Sequence, residues 1–120
     1  MLCFKNKKLI IDIYSIIKGA ALNMKYNLPD RILRELSYFA QKYCITKIIL
    51  FGSRARGTNT ERSDIDIAVY GGDFDCFYWD VKEKIHSLLM FDIVRADVAI
   101  SDELKQEIEK DGVTIYEKAR

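Results

Sequence analysis

Two aspartates one residue apart, Asp64 and Asp66, sit in a segment with the alternation of a β-strand. Over residues 64–70, Ile65, Ile67 and Val69 point to one side, while Asp64, Asp66 and Ala68 point to the other. Side-by-side carboxylates on a strand that otherwise reads as buried repel one another and are poorly solvated. A divalent cation removes that penalty, and carboxylate oxygens suit Mg2+, which also binds substrate phosphates. Twelve residues before Asp64 stands Gly52, followed at once by Ser53. A glycine directly after a strand lets an anion approach the backbone with no Cβ in the way. The Ser53 hydroxyl can donate to a phosphate oxygen, and Arg54 and Arg56 can add charge and paired hydrogen bonds. A short helix opening near Arg54 would also turn N–H groups and a positive dipole end toward that anion. Alone, the loop could be an ordinary polar turn, and the aspartates could be solvated or paired with arginine. Together they describe a triphosphate and its metal held between neighbouring strands.

The elements that must carry these residues are readable along the chain. Ile48, Ile49, Leu50 and Phe51 form an apolar run that predicts a buried strand, extended here over 44–51. Before it, Pro29 opens a helix in which Ile32, Leu33, Leu36, Phe39, Ala40 and Tyr43 recur at helical spacing. Residues 52–63 read as a turn with a short helical piece. After Gly71-Gly72, residues 73–89 predict a helix whose apolar face carries Phe74, Phe77, Tyr78, Val81, Ile85, Leu88 and Leu89. Trp79 falls off that face, where it can mark a partner surface, and His86 reads as a surface or capping residue. Residues 91–100 predict a third strand. Ser101 is a good N-cap for a last helix with Leu104 and Ile108 buried, Gly112 is a natural C′ residue, and 113–116 make a final strand. The order α-β-turn-β-α-β-α-β predicts an α/β (α+β) fold, a mixed β-sheet flanked by helices.

Composition narrows the class. With 120 residues, 49% hydrophobic and 31% charged, the chain is long enough for one domain with a true core. A net charge of +1 supplies no general field for nucleic acid or an anionic membrane, so direct nucleic-acid binding is not expected. Cys3, Cys44 and Cys76 are odd in number and lack metal-ligand spacing, which reads as reduced, cytoplasmic thiols. No apolar run reaches the roughly 20 residues that span a bilayer. Residues 9–17 form an apolar run behind Lys5, Lys7 and Lys8, loosely like a secretory leader but broken by Asp12. We therefore set residues 1–23 apart as an N-terminal extension, with Met24 as an alternative start, and take 24–120 as the domain.

Gly52-Ser53, the ten residues 54–63 and Asp64-Ile65-Asp66 follow a Gly-Ser, ten-residue gap, Asp-x-Asp pattern. In this the chain resembles the DNA polymerase beta-like nucleotidyltransferase superfamily, and most closely its minimal nucleotidyltransferases (MNT), often found beside HEPN-domain proteins. The resemblance covers nearly all of 27–117 in element order. It implies that Gly52, Ser53 and Arg56 hold the β- and γ-phosphates of a nucleotide such as ATP, and that Asp64 and Asp66 bind Mg2+, two ions in all. It also implies a third carboxylate on a later strand that activates the acceptor hydroxyl. Asp92, in Phe-Asp-Ile-Val, is the matching position, and Asp97 on the same predicted strand is the alternative. The activity implied is transfer of AMP from ATP to a tyrosine of a HEPN toxin, with this chain as the antitoxin. A chain of this length has no room for an acceptor domain, so a partner protein or a second copy of the chain is expected to complete the site. Transfer to a small molecule such as an aminoglycoside, or a non-catalytic antitoxin acting by binding alone, are the other readings.

Overall fold

The computed structural model describes residues 28–119, apart from 61, 86 and 88. Residues 1–23, with the leader-like run and Cys3, lie outside the described residues, as do Leu88 and the single histidine, His86.

Helix α1, Asp30–Lys42, starts after Pro29, which needs no N–H partner there, and it carries Asp30 and Lys42 at the ends where the helix dipole favours them. It buries Ile32, Leu36, Phe39 and Ala40, one stripe at helical spacing. The end of α1 departs from expectation. Cys44 adopts a left-handed conformation with φ 59° and is not in a strand. Its N–H donates to Gln41 O, and that of Ile45 donates to Ala40 O. This is the two-bond Schellman closure, with cysteine where glycine is usual and with buried Ile45 supplying the apolar contact. Strand β1, Lys47–Phe51, therefore begins three residues later than expected.

β1 is central in a four-stranded sheet with order β3-β2-β1-β4, in which β2 is Ile65–Tyr70, β3 is Phe91–Arg95 and β4 is Val113–Glu117. β1 pairs antiparallel with both β2 and β4, while β2 and β3 are parallel. The parallel pair needs a crossover, supplied by helix α3, Phe74–Lys84. The remaining helices are the single turn α2, Ser53–Arg56, and α4, Asp102–Asp111.

β2 has packing on both sides because both faces of the sheet are covered. Ile65, Ile67 and Val69 join the main core with Leu36 and Phe39 of α1 and Phe77 and Val81 of α3. Ala68 and Phe51 instead pack against Ile108 of α4 on the opposite face. Tyr43 at the end of α1 donates its hydroxyl proton to Asp80 of α3, which also pairs with Lys42 and Lys84, and this bond pushes the Tyr43 hydroxyl up to about 12.

Three boundaries differ from the sequence expectation for tertiary reasons. α3 stops at Lys84 instead of 89, because Ile85 turns extended into the core and the chain must reach Met90, whose carbonyl accepts the Ile65 N–H. β3 stops at Arg95, where Ala96 N–H makes the last bond to β2 and the chain leaves the sheet. Gly112 is extended at φ −64°, so left-handed freedom is not its role. A Cβ there would stand 2.6 Å from Ile49 Cγ2, so the residue lets the end of α4 close on β1. Leu104, expected to be buried, is only half-buried, whereas Ile108 is buried. Cys44 and Cys76 are free and exposed. Among the described residues no helix is long and apolar enough to cross a membrane.

The left-handed Cys44 generates a stability prediction. Its side chain is exposed, so Cys44→Gly loses little contact and removes a steric penalty of about 1 kcal/mol. Urea denaturation should show a gain of about 0.5 kcal/mol after the entropy cost of glycine is subtracted. A loss would mean that the thiol has a packing role.

Candidate active site at the end of the central strands

The site is assembled where β1 ends. Gly52 leaves the strand at φ 75°, ψ −156°, a combination open essentially to glycine alone. The reason is visible beside it: a Cβ on Gly52 would collide with the Asp66 carboxylate. The antiparallel register sets Phe51 opposite Asp66, so the turn and the aspartate strand meet at this point.

The parallel register then sets Asp66 directly opposite Asp92. Register partners project to the same face on strands roughly 4.8 Å apart, so the two carboxylates are neighbours. Burial, followed by the charges of Asp92, Asp64 and Glu107 and a hydrogen bond with Asp92, pushes the Asp66 carboxyl up to about 6. Asp64 behaves differently from expectation: it precedes β2 and is exposed, so of the Asp-x-Asp pair only Asp66 is desolvated.

The two candidates for the third carboxylate are separated by the fold. Asp92 lies on β3 beside Asp66. Asp97 lies past the end of β3, where its carboxylate accepts from Gly71 N–H and Arg95 Nε, both at 3.1 Å. Burial works against the charge on Asp97, yet the Arg95 and Gly71 hydrogen bonds hold its carboxyl below the usual range.

The loop arginines divide their work. Arg54, expected to face a phosphate, is 4% exposed, and burial lowers its pKa. Its Nε donates to Ser63 O at 3.0 Å, which ties the start of the loop to the residue before Asp64. Arg56 is exposed, with Nη1 3.3 Å from Asp111 Oδ2 at the end of α4. The N–H groups of Ala55 and Arg56, expected to be open to an anion, both donate to Gly52 O. The approach over Gly52, the Ser53 hydroxyl and the Arg56 guanidinium are groups on the loop that an anion could use.

Among the described residues no group of three or more His, Cys, Asp or Glu forms a ready-made metal cage. The donor chemistry nevertheless fits Mg2+, which needs only one or two carboxylates and completes its shell with water and phosphate oxygens. Asp66 and Asp92, opposite one another on β2 and β3, are the residues that could supply those oxygens.

A mixed sheet with a Gly-Ser turn over a strand-borne aspartate pair is the core of one protein class, and comparison with known proteins agrees. The family described as Polymerase beta, Nucleotidyltransferase matches residues 34–120. The chain belongs to this polymerase beta-like nucleotidyltransferase family. A curated relative from Methanocaldococcus jannaschii, named "Putative protein adenylyltransferase MJ0604", is 49% identical over 61 residues, 50% of this chain. The match spans 58% of that relative's length. Two crystal structures of toxin–antitoxin assemblies are similar at TM-score 0.57, each covering 72% of this chain and 73% of theirs. One, 25% identical, is an MntA-HpeT mutant with two aspartates spaced by one residue changed to glutamate, and the other, 27% identical, is a complex with AMP-PNP.

Sequence reasoning missed Glu107 and Asp111, which α4 brings to the site from four residues apart on one helical face. One available signal was an acidic residue at the C-terminal end of a helix, where the dipole disfavours negative charge.

A raised Asp66 pKa makes the metal-free fold sensitive to pH. An unfolded carboxylate titrates near 3.8 and the folded one near 6, so between these values the folded state holds the extra proton. The resulting destabilisation is fully present above pH 6 and fades as pH falls toward 4. Asp66→Asn should therefore be more stable than the parent above pH 6, by on the order of 1 kcal/mol once solvent screening is allowed for. Thermal melts in EDTA from pH 4 to 8 should show that gap closing in acid. Equal stability at pH 7 would contradict the assignment.

Proposed function

We propose that this chain is an Mg2+-dependent nucleotidyltransferase that moves AMP from ATP to a tyrosine hydroxyl of a HEPN-domain toxin, acting as its cytoplasmic antitoxin. The observation that carries the reading is the opposition of Asp66 and Asp92 beneath the Cβ-free approach at Gly52. Supporting it, a relative bears a protein adenylyltransferase name, and similar folds come from toxin–antitoxin assemblies, one holding an ATP analogue. The aspartate pair altered in the MntA-HpeT mutant has the same spacing as Asp64 and Asp66. The working unit we assign is 24–120, and the family match occupies 34–120 of it.

In this mechanism Gly52, Ser53 and Arg56 bind the β- and γ-phosphates and fix the α-phosphorus between the loop and β2. Asp64, Asp66 and Asp92 would hold Mg2+, whose charge offsets that of the phosphates and of the departing pyrophosphate. Asp92 is exposed on the edge strand, where an acceptor hydroxyl can reach it from outside. It takes the hydroxyl proton as the oxygen attacks the α-phosphorus in line, and the bond to the β-phosphate oxygen breaks. Asp66, between Asp92 and the Gly52 turn, fixes the relative position of phosphate and acceptor.

Intact-mass spectrometry of the HEPN partner after incubation with this chain, ATP and Mg2+ should show a gain of whole AMP units. The Asp64→Asn/Asp66→Asn variant should give none, and an unmodified partner in a tight complex with the parent would refute the transferase reading.

Asp92→Asn is expected to lower transfer by at least about a hundredfold while ATP still binds. Full activity in that variant would remove Asp92 from the chemistry.

A further inference from the structure

We propose that Asp111 is a positioning residue for triphosphate recognition, holding the Arg56 guanidinium over the phosphate side of the site. The inference rests on the nucleotidyltransferase reading and adds to it a residue from outside the Gly-Ser and Asp-x-Asp motif.

Three features of α4 converge on this role. Asp111 Oδ2 stands 3.3 Å from Arg56 Nη1, joining the last residue of α4 to the last residue of the loop helix α2. One turn earlier, Glu107 adds its negative charge to the field at Asp66. Between them Ile108 packs on Phe51 and Ala68, which fixes the helix to the strand ends that carry Gly52 and Asp66. Gly112 then admits α4 to close contact with Ile49, which sets where Asp111 can reach.

The pair has little value as a stabiliser. The Arg56 and Asp111 side chains are 42% and 18% exposed, and ion pairs of this kind contribute weakly to folding. Asp111 also places negative charge at a helix C-terminus, which the dipole disfavours. Its useful effect is on orientation. An arginine has five N–H donors in a rigid fork, so a carboxylate bound at Nη1 fixes the plane of the group and leaves its other donor directions to a second anion. An exposed arginine without that restraint would have to be ordered by the nucleotide itself, at a cost in affinity.

The test is nucleotide binding, measured by calorimetry with ATP and with AMP in Mg2+ buffer. The variants are Asp111→Asn, Asp111→Glu, Arg56→Gln and the Arg56→Gln/Asp111→Asn double, with melting temperatures recorded for each. Asp111→Asn should weaken ATP about three- to tenfold, the range expected for one charge-assisted contact, and leave AMP unchanged. Asp111→Glu should restore much of the loss. In the double variant the Asp111 change should add nothing, because the residue acts only through Arg56. Unchanged or tighter ATP binding by Asp111→Asn, or equal weakening of ATP and AMP with a lowered melting temperature, would overturn the proposal while leaving the nucleotide reading in place. A parent protein that binds no ATP would overturn both.

Discussion

The Asp66 carboxylate is the constraint to which the rest of the site is fitted. It is partly buried, stands opposite a second carboxylate on β3, and lies where any side chain on residue 52 would collide with it. Placing such a group in the middle strands of a sheet is unfavourable by itself, as its raised pKa records. The fold tolerates it because the penalty is local, while the other face of the same strand contributes Ile65, Ile67 and Val69 to the main core. One strand thus buries three apolar side chains on one side and presents a carboxylate on the other, and the period of two in its side chains makes that division possible.

Around this carboxylate the chain uses short-range devices to bring distant segments together. Gly52 accepts a backbone conformation closed to other residues so that the turn can lie over Asp66. Buried Arg54 ties the beginning of the loop to Ser63, which fixes the distance between the Gly-Ser turn and the aspartates. α4 covers the apolar remainder of that sheet face through Ile108 and brings Glu107 and Asp111 to the rim. Loop, strand and helix therefore share one small volume although they come from separate parts of the chain. Outside that volume, Trp79 and Met90 are 59% and 65% exposed, and Met90 immediately precedes the strand that carries Asp92.

Much of this was legible in the sequence. Alternation in 64–70 placed Asp66 on the face opposite Ile65, Ile67 and Val69, the apolar run 48–51 located the central strand, and every helix among the described residues was found in order. The errors fell at boundaries. Cys44 looked like the start of a strand because nothing in its residue type announces a left-handed helix end. The ends of α3 and β3 carry no glycine or proline to mark them, and they are set by where the chain must enter and leave its pairing with β2.

Residue spacing by itself determined the nature of the chemistry: a glycine and a hydroxyl at a strand end, two carboxylates twelve and fourteen residues beyond that glycine, and acidic candidates further on. These are properties of residue type and local period, and both are written in the chain. Only the tertiary structure decided between Asp92 and Asp97 as neighbour of Asp66, because strand register is a long-range property. It also separated Arg54 from Arg56, since burial depends on what folds over a loop, and it brought in Glu107 and Asp111 from a helix whose face is chosen by packing on β1 and β2.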